Sequence, residues 1–223
     1  MRRLILFSLP LEQVEQAIVP LMFPKEITHK VFAYMPSEGV LRNEKYESFT
    51  DEWQATAHQY EAQFLLIDNA KEDATEERAK LSSANILLIT GGNPYILLRN
   101  LRKSGMDSII VDLAHKEQCV LAGYSAGAMI FSPTIQMAAG NDNSGVGLTN
   151  FDGFNFVSYE IFPHYSEETK QPFEQYTRVA QHIVKPIRDD EYIVFEDFLR
   201  DAFASMIGMF EGPAEADHND IYR

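Results

Sequence analysis

The first 131 residues alternate short, continuously apolar runs with longer amphipathic stretches. Residues 4–7 (LILF) are apolar without interruption, as a strand covered on both faces requires. Residues 11–22 place Val14, Ile18 and Leu21 on one side at helical spacing and close at Pro24. Residues 30–35 predict a second strand, stopped by Pro36 and Gly39. A long polar helix carrying Trp53 is expected over 44–60, and a strand over 63–67. After a short helix or turn at 74–81 comes another buried strand, 85–90, which ends in Gly91-Gly92-Asn93. Helices follow over 94–102, with Pro94 suited to the first turn, and over 106–116. The apolar run Cys119-Val-Leu-Ala then reads as the next strand.

Beyond Thr134 the pattern loosens. Residues 138–153 are rich in Gly, Asn and Asp and read as a loop. Strand character returns at 154–162, helical character at 173–183 and strand character at 192–195. No linker marks a boundary, so one α/β domain is expected over 1–211, with 212–223 a loosely ordered tail. The alternation of strands and helices predicts a mainly parallel central sheet with helices on both faces. Ligands of such sheets bind beyond the carboxyl ends of the strands.

Composition and charge narrow the function classes. A net charge of −14 argues against a nucleic-acid partner, because phosphate binding needs clustered Lys and Arg. The one cysteine, Cys119, excludes an internal disulfide and reads as a small core residue. Two arginines precede the first apolar run, but the run is too short for a signal peptide and Glu12 and Glu15 follow it. No run approaches 18 apolar residues, so no membrane span is expected and a cytoplasmic location is the default. The chain carries no indication of oligomeric state.

The candidate chemistry lies at two glycine turns after neighbouring strands, Thr90-Gly-Gly-Asn93 and Gly123-Tyr-Ser125-Ala-Gly127. Gly-x-Ser-x-Gly between a strand and a helix lifts a serine hydroxyl above the sheet edge on a sharp turn. Such a serine needs a base. Of six histidines, His29 and His58 sit in polar surroundings, His115 ends a helix, His182 lies in a predicted helix and His218 in the tail. His164 follows a strand and a proline, where rigid catalytic residues are often mounted. The carboxylate that would orient it could be Asp189, Asp190 or Glu191, just before the strand at Tyr192, or Glu196, just after it. Ala126 N–H and Gly92 N–H are the candidate oxyanion donors.

These residues carry a family resemblance. Thr90-Gly-Gly-Asn93 with Leu97-Leu98, then Gly123 to Ala128, then Pro163-His164-Tyr165, resemble the dipeptidase E (aspartyl dipeptidase) and cyanophycinase family of serine peptidases. The resemblance implies a class I glutamine amidotransferase-like fold, a short-peptide substrate and a Ser-His-Glu or Ser-His-Asp triad, with no metal or cofactor. It makes Ser125 the nucleophile, His164 the base, Gly92 and Ala126 the oxyanion hole, and Asp189 the acid. Two positions depart from the aspartyl dipeptidases. Asp189 stands where they carry Glu, and Gln171-Pro172-Phe173 stands where they carry a Thr-Arg-Glu run. With Lys170 and Arg178 as the only nearby cations, aspartate preference is not expected. Rival readings are an amidase or esterase of the same fold, and an inactive binding module that keeps the elbow.

Overall fold

The apolar runs become the strands of one central sheet, and alternation along each strand divides its side chains between two cores. The computed structural model describes residues 1–40, 44–138, 147–198 and 221–222. Five strands run parallel: β1 (Arg2–Phe7), β2 (Val31–Met35), β3 (Gln63–Leu66), β4 (Ile86–Ile89) and β5 (Cys119–Tyr124). A small two-stranded sheet stands apart, in which β6 (Glu160–Phe162) pairs in parallel with β7 (Val184–Pro186). The order across the central sheet is β3-β2-β4-β5-β1-β8-β9. Here β8 (Tyr192–Glu196) lies antiparallel to β1, and β9 (Ile221–Tyr222) antiparallel to β8.

One face is covered by α1 (Glu12–Met22) and α2 (Glu44–Gln59). The other is covered by α3 (Thr75–Ser83), α4 (Pro94–Ser104), α5 (Met106–Ala114) and the short α6 (Ala126–Met129). In β1, Ile5 and Phe7 join Val14, Ile18 and Met22 of α1, while Leu4 and Leu6 join Leu97 and Ile110 on the opposite face. Each such fully buried side chain contributes about 1.5–3 kcal/mol. The mainly parallel α/β architecture expected from the sequence is therefore the one observed.

Two segments differ from expectation. Of residues 154–162 only the last three form a strand, β6. Phe154 N–H instead donates to Ile130 O (2.8 Å) and Phe156 N–H to Phe131 O (2.9 Å). These bonds anchor the chain against the end of α6, where the ring of Phe156 stacks on those of Phe131 and Phe154. The helix expected over 173–183 is α7 (Lys170–Thr177). Pro172 falls in its first turn, where a missing N–H costs nothing. The chain then extends: Ile183 O accepts Glu160 N–H (2.8 Å) and leads into β7. Of the expected tail, Ile221–Tyr222 pair with β8. Residues 212–220, and 139–146 of the expected loop, lie outside the described residues.

Candidate active site

Strand register brings three chain ends to one edge of the sheet. Phe7 pairs with Tyr124 on one side and with Tyr192 on the other. One step beyond β1 lies Ser8, one step beyond β5 lies Ser125, and just before β8 lie the three acids 189–191. Ser125 N–H donates to Phe7 O (3.2 Å), tying the elbow to β1.

Ser125 adopts φ 50°, ψ −117°, a conformation that costs a non-glycine residue roughly 1–3 kcal/mol. The flanking glycines let the chain turn so sharply. A Cβ on Gly123 would lie 2.2 Å from Gly127 O, and one on Gly127 only 2.1 Å from Ile89 O. The helix after the serine thus passes directly over the ends of β4 and β5.

His164 arrives from the small sheet. Ile187 N–H donates to Phe162 O (2.9 Å) and Tyr165 N–H to Ile187 O (3.1 Å), extending the pairing past β6 and β7. His164 and Asp189 consequently emerge side by side. His164 Nε2 lies 2.8 Å from Ser125 Oγ. Its Nδ1 lies 2.8 Å from Asp189 Oδ1. Of the three acids Asp189 is the one hydrogen-bonded to the imidazole. Asp190 pairs with Arg188 (3.5 Å), and Glu191 Oε2 accepts Arg188 N–H (2.9 Å). The His164 and Asp189 side chains keep 41% and 46% of their exposure, so the line opens to solvent.

Ser8 belongs to no sequence motif, yet it touches both residues. Its side chain is fully buried, and its hydroxyl donates to Asp189 Oδ1 (2.7 Å) while accepting His164 N–H (2.8 Å). A lone serine after a strand carries no signal by itself; only the strand order β5-β1-β8 exposes it.

The second glycine turn abuts Ser125, since a Cβ on Gly91 would lie 3.1 Å from Ser125 Cβ. Ser37 Oγ donates to Gly91 O (2.6 Å). The trans peptide then sends Gly92 N–H the opposite way. Gly92 has φ +145°, which side chains rarely adopt. Asn93 fixes the start of α4, its side chain accepting from Tyr95 N–H (2.9 Å) and Ile96 N–H (3.1 Å) as an N-cap. Ala126 N–H belongs to the first turn of α6 and has no partner within the helix.

The arm that carries His164 is held differently. No residue of α7 is buried. Phe173 packs edge-on against Phe162 and Tyr165, with ring centroids 5.3 and 5.2 Å away. Tyr176 Oη donates to Glu160 Oε2, and Glu160 is fully buried with Oε1 unpartnered among the described residues. Burial pushes the Glu160 carboxyl above its ordinary value, opposed by the Tyr176 hydrogen bond and by nearby His182. On the same arm Lys170 pairs with Glu167 (3.7 Å).

Away from this edge, Cys119 is buried in β5, and burial pushes its thiol up to about 11, in keeping with an inert core residue. Among the described residues no helix is long and apolar enough to cross a membrane.

Comparison with known proteins agrees with the motifs. The model of peptidase family S51 matches residues 9–199. An uncharacterised peptidase of Listeria monocytogenes is 30% identical over 168 residues, covering 72% of this chain and 78% of its own. Peptidase E of Escherichia coli is 32% identical over 100 residues, 45% of this chain and 42% of its own. A crystal structure titled as a putative peptidase E protein of Listeria monocytogenes superposes with a TM-score of 0.69 at 26% identity, covering 87% and 94% of the two chains. The resemblance carried by three short motifs therefore extends over most of the fold. The chain belongs to peptidase family S51 and is a peptidase.

Proposed function

We propose that this peptidase is of the serine type and cleaves short peptides through an acyl-enzyme on Ser125. The unbroken hydrogen-bond line from Ser125 Oγ through His164 to Asp189 carries the reading. A serine hydroxyl is a poor nucleophile near neutral pH, and an imidazole nitrogen at 2.8 Å is placed to take its proton. As Oγ attacks the scissile carbonyl, negative charge grows on the carbonyl oxygen and is met by Gly92 and Ala126 N–H. Losing one such donor costs about 2.7–4 kcal/mol of transition-state stabilisation. Asp189 holds the imidazole with its proton on Nδ1 and steadies the imidazolium that forms. His164 then gives the proton to the leaving amine, and water repeats the sequence on the acyl-enzyme.

The short-peptide part of the reading is supported by the peptidase E relatives. Aspartate preference is not part of it. Gln171-Pro172-Phe173 offers no cation for a substrate carboxylate, and an unpaired buried charge is costly.

Ser125→Ala tests the proposal. A fall in kcat of about 10⁶-fold is expected, with the melting temperature unchanged and fluorophosphonate labelling abolished. Unchanged turnover would sink the serine mechanism. A dipeptide and ester library tests the substrate: hydrolysis of esters without any dipeptide would remove the peptide assignment.

A further inference from the structure

We infer that Ser8 is a positioning residue that fixes both the place and the tautomer of His164. The inference rests on the reading of Ser125, His164 and Asp189 as a triad. A hydroxyl has one proton to donate and two lone pairs with which to accept. Ser8 uses its one proton on Asp189 Oδ1, at 2.7 Å. One lone pair takes the backbone N–H of His164, at 2.8 Å. Its oxygen also lies 3.2 Å from His164 Nδ1. With the Ser8 proton committed to the carboxylate, that third contact is favourable only when Nδ1 carries a hydrogen. The proton on Nδ1 is then shared between Asp189 Oδ1 and Ser8 Oγ, and the lone pair on Nε2 is left facing Ser125.

Three observations make this more than a neighbouring hydroxyl. Asp189 is nearly half exposed, so water competes for its oxygens and burial does not hold it in place. Ser8 is fully buried, fixed at the end of β1 between the strands that lead into Ser125 and begin after Asp189. His164 sits at φ 59°, and the Ser8 oxygen receives the N–H of that strained residue. One buried atom thus ties the backbone of the base, its ring and its carboxylate to the sheet that carries the nucleophile. An open acid acquires from Ser8 the rigidity that burial would otherwise supply.

Ser8→Ala removes all three contacts without adding bulk. A fall in kcat of about 10²-fold is expected, the size of effect produced by loss of precise placement of a catalytic group. KM should barely move, because Ser8 is buried away from substrate. The decisive readout is the ¹⁵N spectrum of His164, identified by the signal missing from His164→Gln. The wild type should show hydrogen on Nδ1, and Ser8→Ala a mixture of both tautomers. Ser8→Cys keeps a side chain of similar volume with weak hydrogen bonding, and gives the same readouts if Ser8→Ala fails to fold. A kcat within twofold of wild type, or an unchanged tautomer, overturns the role of Ser8 alone. A wild type in which Ser125 takes no fluorophosphonate label overturns the serine reading, and with it the catalytic sense of Ser8.

Discussion

Ser125 follows a strand in which residues 119–123 are all buried, whereas His164 is delivered by an arm whose helix, α7, buries none of its residues. Ser125 is placed by packing: neighbouring strands on both sides of β5, and glycines that admit no Cβ. His164 is placed by a few polar contacts and one small aromatic cluster. Apolar packing is dense and couples many neighbours, so an added methyl is felt by the whole fold, while hydrogen bonds fail one at a time. The two halves of the proposed reaction centre should therefore respond differently to substitution. Changes to the packing of the sheet half should cost the fold, and polar changes in the arm half should cost rate or pH response with the fold intact.

Apart from removal of the Ser125 hydroxyl itself, the largest expected effect is on the arm side. Asp189→Asn should lower kcat by about 10⁴-fold by favouring the wrong imidazole tautomer, with the melting temperature close to wild type. Asp190→Asn, whose partner is Arg188, should stay within about twofold of wild type, as exposed substitutions usually do. Steady-state kinetics on the pair checks both. Equal losses would mean that the acid is not assigned by the 2.8 Å contact.

The next effect belongs to the sheet. Gly127→Ala puts a methyl 2.1 Å from Ile89 O, a backbone atom that cannot swing aside. Destabilisation of about 3 kcal/mol or more is expected, beyond ordinary overpacking. Chemical denaturation should show it, and activity should vanish with the folded fraction rather than ahead of it. A Gly127→Ala protein of wild-type stability that lacked activity would erase the distinction between the halves.

The same contrast explains what could be read from the sequence. Strands β1 to β5 were legible because their residues face two cores and so form continuous apolar runs. Ser125 was legible because the close approach of α6 to the sheet demands glycine at both flanks. In the arm these signals fail. β7 is three residues, Val184-Lys185-Pro186, too short for any period. Asp189, Asp190 and Glu191 are indistinguishable by charge; what separates them is the pairing of Ile187 with Phe162 and Tyr165, a contact between distant segments. Ser8 was invisible for a related reason, since its importance comes from a strand order that no local pattern encodes.

The smallest expected effect tests whether the arm is pH-sensitive where the sheet is not. Glu160 is buried on β6 and takes the Tyr176 hydroxyl of α7, so the carboxyl lies at the joint between the two. Its folded pKa stands above the ordinary 4.5 because burial disfavours the charged form, though Tyr176 and His182 offset part of this. Ionisation is thus harder in the folded chain than in the unfolded one. The stability Glu160 contributes is fully present below about pH 4.5 and is lost as pH rises through the folded value. Glu160→Gln is neutral at every pH and keeps an acceptor for the Tyr176 hydroxyl. The melting temperature of Glu160→Gln relative to wild type should therefore climb as pH rises through this window, then level off above the folded pKa. A relative melting temperature that stays flat, or falls, across the window would show that Tyr176 and His182 compensate the buried charge fully. The arm would then be held as insensitively to pH as the sheet.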